Sequence, residues 1–146
     1  MADTGLEIIR TKGEVGDDRL IADAERVYLS DSERDVPPRF VYDAARHRNL
    51  FVAYDAEEPA GLAALLTLFE RPFVGLLVVR KDWRRKGVAS RLLDVIEDAT
   101  APVRIFISTN ESNAGMLALL ERRGYVRRGA VEGFDPDDAE VFLSLR

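Results

Sequence analysis

One stretch of the sequence decides the fold: Leu76-Leu77-Val78-Val79-Arg80-Lys81-Asp82-Trp83-Arg84-Arg85-Lys86-Gly87-Val88-Ala89-Ser90-Arg91-Leu92-Leu93. Its first four residues are apolar, and two of them are β-branched, which favours a buried strand. Apolar residues then recur at helical spacing, which predicts an amphipathic helix over 87–99. A short basic loop with one glycine joins the two elements. The stretch therefore predicts a strand–loop–helix unit.

The basic loop, Arg84-Arg85-Lys86-Gly87-Val88-Ala89, has the chemistry of a phosphate site. The first turn of a helix has unpaired N–H groups and the positive end of the helix dipole, so it attracts anions. Cations at this end interact unfavourably with the dipole and cost up to about 1 kcal/mol of stability each. A bound anion would offset that cost. Gly87 lets the backbone approach a ligand, and Ala89 leaves room for it. From these residues alone, a solvated basic loop is an equally good interpretation.

Composition narrows the class of protein. The chain has 146 residues and a net charge of −5, so we expect one domain over 1–146 and no nucleic-acid partner. It has no cysteine and one histidine, which argues against a metal site. The N-terminus does not resemble a signal peptide, and the longest apolar stretch, 60–69, is too short to span a bilayer. We expect a soluble cytoplasmic protein with no membrane partner.

Hydrophobic periodicity and turn residues predict the remaining elements. Gly16-Asp17-Asp18 is predicted to cap the first helix, 30–36 to be a loop, and Pro37-Pro38 to open the second helix. The strand at 103–108 needs a crossover from the strand at 73–79, and Gly124 is predicted to end the last helix. The predicted strands are 6–10, 50–54, 60–69, 73–79, 103–108, 125–131 and 140–145, with helices over 19–29, 37–49, 87–99 and 114–123.

Two motifs in this order of elements resemble the GNAT (Gcn5-related N-acetyltransferase) superfamily over nearly the whole chain. The loop 84–89 matches that family's acetyl-CoA signature, Q/R-x-x-G-x-G/A. A second motif, Asn-x-x-Ala-x-x-x-Tyr-x-x-x-Gly-Phe, is matched by Asn113 and by Gly124-Tyr125 at the same spacing. Met116 replaces its alanine and Leu120 replaces its tyrosine.

The resemblance implies an α/β (α+β) fold with a mixed, mostly antiparallel sheet of about six or seven strands and about four flanking helices, in the order β-α-α-β-β-β-α-β-α-β-β. It also implies an acetyl-CoA-dependent N-acetyltransferase in which a primary amine of a small molecule or peptide attacks the thioester directly. Acetyl-CoA is then a cosubstrate, and no metal takes part.

The resemblance further implies which residues bind acetyl-CoA. Backbone amides of 85–89, aided by Ser90, would hold the pyrophosphate, and 77–79 would follow the pantetheine arm. A bulge near Val78–Val79 would separate this strand from 103–108 and open the cleft for that arm. The predicted cofactor contacts are Leu77, Val78, Val79, Arg84, Arg85, Lys86, Gly87, Val88, Ala89, Ser90 and Asn113.

Catalytic groups are less clearly indicated. The N–H of Val79 is the candidate to polarise the thioester carbonyl. Leu120 cannot protonate the leaving thiolate, so water or another group does so, or the thiolate leaves unassisted. Glu111 and Glu70 are the candidate bases by topology, although a carboxylate in such a place is more often a solvated turn residue. Asn113 is equally well a helix N-cap.

The acceptor side is indicated only by charge. Acidic residues lie in the last hairpin (Glu132, Asp135, Asp137, Asp138) and in the loop between the first helices (Asp31, Glu33, Asp35). They favour a cationic amine, or they are the ordinary surface of an acidic protein. A non-catalytic acyl-CoA-binding module and a purely structural subunit are the alternative functions. Because the sheet is expected to have exposed edges, both a monomer and a homodimer are compatible with the sequence.

Overall fold

The computed structural model describes residues 5–30 and 37–146. Its elements are β1 (Leu6–Arg10), α1 (Asp18–Ser30), α2 (Arg39–Arg46), β2 (Leu50–Asp55), β3 (Glu58–Leu68), β4 (Arg71–Val79), α3 (Val88–Thr100), β5 (Ile105–Asn110), α4 (Ala114–Arg122), β6 (Val126–Asp135) and β7 (Asp138–Leu145). Short 3₁₀ helices cover Val15–Asp17 and Lys81–Trp83. The predicted order of strands and helices is confirmed.

The seven strands form one mixed sheet in the order β1-β2-β3-β4-β5-β7-β6. Antiparallel ladders join β1 to β2, β2 to β3, β5 to β7 and β6 to β7. The parallel ladder joins β4 to β5, where Phe73 pairs with Phe106 and Val74 with Ile107. Because a parallel pair needs a crossover, α3 lies between these two strands in the chain. The predicted fold class is therefore confirmed.

Three local predictions need correction. Asp17 does not cap α1, because its carboxylate turns back and accepts hydrogen bonds from the N–H groups of Lys12, Gly13 and Glu14. Burial raises the pKa of Asp17, but these three donors together bring that pKa below its ordinary value.

The other two corrections concern strand limits. The fifth strand starts at Ile105 rather than Val103, and the last hairpin is longer than its glycine and proline suggest. An irregular register between Val131 and Asp135 lets β6 continue to Asp135, so only a tight turn remains. The predicted loop at 31–36 lies outside the described residues.

Contacts cluster in two compact units, Met1–Leu66 with Leu76–Ala99, and Thr67–Gly75 with Thr100–Arg146. In the first unit, α1 and α2 contribute buried side chains to the same cluster as β2 and β3. The largest members of this cluster are aliphatic and aromatic: Val27, Tyr28, Val41, Leu50, Val52, Tyr54 and Leu62. Among the described residues, no helix is long and apolar enough to cross a membrane.

In the second unit, α4 ends in the motif that its sequence predicts. Gly124 has φ +94° and donates its N–H to the carbonyl of Glu121, while the Tyr125 N–H binds the carbonyl of Leu120. This is a Schellman arrangement, in which glycine provides the left-handed conformation. Leu120 and Tyr125 are both buried, so the turn is closed by an apolar pair.

The start of α3 packs tightly on β3 at Gly61. A Cβ atom at this position would lie 2.7 Å from Cγ1 of Val88 and 3.1 Å from the carbonyl oxygen of Val78. Neither neighbour moves easily, because valine is stiff about χ1 and the second atom belongs to the backbone. The missing side chain at Gly61 therefore sets how closely the first turn of α3 approaches the sheet.

Gly61→Ala should lower the free energy of unfolding by about 1–3 kcal/mol, because the added methyl group forces Val88 away from β3. Gly115→Ala is the matched control, since a Cβ there meets nothing within 4 Å and alanine is the better helix former. Urea denaturation of both variants measures the difference. Equal stability of the Gly61 and Gly115 variants would show that the packing at Gly61 does not constrain α3.

Candidate active site

The loop before α3 is exposed and has the backbone shape that its glycine requires. Residues 84–87 are exposed, whereas Val88 is buried. Gly87 has φ +82°, and a Cβ there would meet nothing within 4 Å, so conformation rather than crowding calls for glycine. Arg85 also has a left-handed conformation, with φ +63°. Two left-handed residues thus turn the chain into the helix.

The N-terminus of α3 presents backbone donors beside these cations. The first hydrogen bond of the helix runs from the N–H of Arg91 to the carbonyl of Gly87, over 3.0 Å. Residues 88–90 precede that donor, so their N–H groups have no acceptor within the helix. Donors at a helix N-terminus next to exposed Arg85 and Lys86 make a surface suited to a phosphate.

The end of β4 is less covered than the adjacent strand β3. Leu77, Val78 and Val79 are partly buried, whereas residues 59–65 of β3 are buried. Arg84 folds back on this strand end, with 3.3 Å between its Nε and the carbonyl oxygen of Val79. The predicted phosphate loop and the predicted pantetheine strand are therefore in direct contact through Arg84.

The sequence patterns missed how the loop is held. Trp83 donates from Nε1 to Oδ2 of Asp55 over 2.9 Å, and the guanidinium of Arg80 lies 5.0 Å from the centre of the Trp83 ring. Arg80 also donates to the carbonyl of Pro59 over 3.1 Å. The signal in the sequence was the single tryptophan, which follows Arg80 by three residues. Nothing local identified Asp55 as its partner.

Asn113 acts as the N-cap of α4, which was one of its two interpretations. Its Oδ1 accepts from the N–H of Met116 over 3.2 Å, and its Nδ2 is 3.2 Å from Oγ1 of Thr109. Leu120, which replaces the family's tyrosine, is fully buried. The side chain at this position therefore belongs to the core of its unit.

The two candidate bases lie at opposite ends of the sheet. Phe73 of β4 is level with Phe106 of β5. Glu70 comes three residues before Phe73, and Glu111 comes five residues after Phe106. At about 3.3 Å per strand residue, their levels differ by about 26 Å. One reaction centre can therefore use at most one of these two carboxylates.

Glu111 borders an open cavity of about 940 Å³ that the last hairpin surrounds. Its carboxylate is paired with Arg127, with 3.3 Å between Oε1 and Nη1. Two acidic side chains of the hairpin accept hydrogen bonds, Asp135 from Asn110 and Asp138 from Ser112. The cavity is lined by Glu111, Ser112, Glu132, Gly133, Phe134, Asp135, Pro136, Asp137, Asp138 and Ala139.

Two further expectations concern the second acidic region and metal binding. Asp31, Glu33 and Asp35, the second predicted acidic region, lie outside the described residues. Within residues 5–30 and 37–146, no three His, Cys, Asp or Glu side chains are grouped so as to hold a metal ion.

Comparison with known proteins identifies the family. The model of the acetyltransferase (GNAT) family matches residues 18–125. No curated protein sequence matches the chain.

Solved structures share the fold at low sequence identity. A GNAT-family acetyltransferase from Bacillus cereus has a TM-score of 0.85 at 22% identity, over 97% of this chain and 96% of that one. The ribosomal-protein-S18-alanine N-acetyltransferase of Escherichia coli has a TM-score of 0.80 at 17% identity, over 96% and 92%. Arabidopsis thaliana Naa50, in complex with the bisubstrate analogue CoA-Ac-MVNAL, has a TM-score of 0.77 at 14% identity, over 97% and 99%. The family match covers most of the chain, and the fold agrees with it: this protein belongs to the GNAT family of acetyltransferases.

Proposed function

We propose that this protein is an acetyl-CoA-dependent N-acetyltransferase that acetylates a primary amine of a small molecule or peptide. The observation that carries the proposal is the exposed loop 84–87, which leads from β4 into the N-terminus of α3 with Gly87 at φ +82°. This loop carries the acetyl-CoA signature of the GNAT family, so we assign the pyrophosphate of acetyl-CoA to it. Of the solved relatives named above, Naa50 is in complex with a CoA conjugate.

In this proposal, the backbone holds the cofactor. The N–H groups of 85–89 bind the pyrophosphate, with the Ser90 hydroxyl and the charges of Arg84, Arg85 and Lys86 in support. Leu77, Val78 and Val79 offer the partly buried end of β4 to the pantetheine arm. A bulge at Val78–Val79 that opens a cleft for the arm, and a contact from Asn113, are further parts of the proposal.

The chemistry requires little from side chains. The amine nitrogen attacks the thioester carbon, the C–N bond forms as the C–S bond breaks, and CoA leaves as a thiolate that takes up a proton. Holding the two reactants together supplies much of the rate. The N–H of Val79 is proposed to donate to the carbonyl oxygen as negative charge develops on it. With Leu120 buried in place of tyrosine, the proton for the thiolate comes from water or another group.

Between the two candidate bases, we favour Glu111. It borders the acidic cavity, whereas Glu70 is an exposed residue of the turn before β4. Val79 comes nine residues after Glu70, at the far end of β4, and an extended strand of that length spans about 30 Å. To accept a proton, Glu111 must release Arg127.

The acceptor is proposed to be cationic, because the hairpin that surrounds the cavity contains Glu132, Asp135, Asp137 and Asp138. Two of the named relatives support an amine acceptor: one is a ribosomal-protein-S18-alanine N-acetyltransferase, and the other is in complex with a peptide conjugate of CoA. The proposal also includes a cytoplasmic location and a single domain over 1–146. For the oligomeric state, it allows a monomer or a homodimer.

A non-catalytic acyl-CoA-binding module is the second candidate, and buried Leu120 is the observation that favours it. The two are separated by measuring thiol release from acetyl-CoA against a panel of monoamines, polyamines, amino acids and peptides, after calorimetry with CoA. We expect binding and turnover with at least one amine. Binding without turnover on any amine would favour the module, and absence of binding at millimolar CoA would exclude both.

Gly87→Glu should abolish CoA binding, because a carboxylate would stand among the donors for the pyrophosphate. The fold should survive, since a side chain at Gly87 meets no protein atom within 4 Å. Gly87→Ala is the matched control, because it carries the same left-handed strain of about 1 kcal/mol without the charge. Calorimetry with CoA measures both variants. Unchanged affinity in Gly87→Glu would place the phosphate site elsewhere.

Glu111→Gln should lower kcat about 100-fold, the usual effect of losing a general base. Glu70→Gln should leave kcat unchanged and serves as its control, since both variants remove one carboxylate from an exposed position. Steady-state kinetics with the best amine of the panel distinguishes them. A loss confined to Glu70→Gln would reverse the assignment, and full activity in both variants would mean that neither carboxylate is the base.

A further inference from the structure

We propose that Trp83 and Asp55 are positioning residues for the phosphate loop. Together with Arg80 they form what we call the clasp, which ties the loop 84–89 to the turn between β2 and β3. This inference rests on the proposed function, because the ligand of the loop is taken to be the pyrophosphate of CoA. It assigns a role to residues outside the family signature.

The centre of the clasp is one hydrogen bond between distant parts of the chain. Trp83 Nε1 lies 2.9 Å from Oδ2 of Asp55, at the end of β2. An indole N–H can only donate, and a carboxylate accepts strongly, so the pair is chemically matched. Both residues are partly buried, which shields the bond from competing water.

Arg80 completes the clasp over the face of the indole. Its N–H donates to the carbonyl of Ala60 over 2.9 Å, and its guanidinium donates to the carbonyl of Pro59. The same guanidinium lies 3.5 Å from Oε2 of Glu58 and stacks over the Trp83 ring. Although Arg80 lies only four residues before the basic loop, its contacts are with residues 58–60 at the start of β3.

The clasp acts on the loop because only Arg84 separates Trp83 from Arg85, the first of the two left-handed residues. The N–H of Arg84 donates to the carbonyl of Lys81, which continues the 3₁₀ helix that contains Trp83. Residues 84–87 are exposed, so packing holds them weakly. Binding groups need a placement within about 0.5 Å, so a shift of Trp83 would misplace the donors that follow it.

Electrostatics alone predicts the opposite effect for Asp55. Removing a negative charge near an anion site should strengthen the binding of CoA, which carries several negative charges. The clasp predicts weaker binding when Asp55 loses its acceptor oxygens, and recovery when an amide restores one. The sign of the change in affinity therefore separates positioning from charge.

The test is a double-mutant cycle on the full chain, with CoA affinity measured by calorimetry at 25 °C and thermal unfolding recorded for every variant. Asp55→Ala and Trp83→Phe should each raise the Kd for CoA about tenfold. The double variant should be no weaker than either single variant, because both remove the same bond. Asp55→Asn should stay within about threefold of the wild-type Kd, since its amide oxygen accepts the indole proton.

Glu57→Ala is the charge-matched control, because Glu57 is an exposed acid of the same β2–β3 turn. Its Kd should be unchanged or lower. A purely structural role for the clasp would lower the melting temperature without changing the Kd of the folded protein, and would overturn the proposal. Wild-type affinity in Asp55→Ala, or losses that multiply in the double variant, would do the same. Failure of the wild-type protein to bind CoA would instead overturn the proposed function, and this inference with it.

Discussion

The close approach of α3 to β3 is the constraint on which the candidate site depends. A helix can lie this near a strand only where the strand presents no side chain, and Gly61 provides that position opposite Val88. The first turn of α3 is therefore set by packing in the core of its unit. The backbone donors of the same turn take their position from this packing.

Two kinds of contact thus fix the loop and the helix that follows it. Apolar packing at Gly61 sets the helix from within, and the clasp sets the preceding loop from the surface through Trp83 and Asp55. The cations at 84–86 stay on the outside, where desolvation does not penalise them. The unfavourable placement of cations at a helix N-terminus is tolerable in this exposed setting, and a bound polyphosphate would make it favourable.

The sequence allowed much of the fold to be predicted, because local patterns carry strands, helices and their caps. Asn113 and Gly124 were recognisable as the two ends of α4, since capping depends on residues within one turn. Asp17 was misassigned because its carboxylate binds backbone N–H groups three to five residues before it rather than those of the helix that follows. The full length of β6 was missed because Gly133 and Pro136 suggested a loop, whereas an irregular register lets the strand continue through this segment.

The site was predictable only where a motif is contiguous. The loop 84–89 was identified from its own six residues, whereas the partner of Trp83 lies 28 positions away and leaves no local trace. Likewise, Glu70 and Glu111 were equivalent candidates by topology until the pairing of β4 with β5 separated their levels. Long-range pairing is information that periodicity and capping do not contain.

The clasp also has an optical consequence. Trp83 is the only tryptophan of the chain, so the intrinsic indole emission of this protein reports on a single environment. That indole is hydrogen-bonded to a carboxylate and covered by a guanidinium, within two residues of the first left-handed turn of the loop. The protein thus carries a built-in fluorophore beside its candidate phosphate loop, and no dye is needed to follow events there.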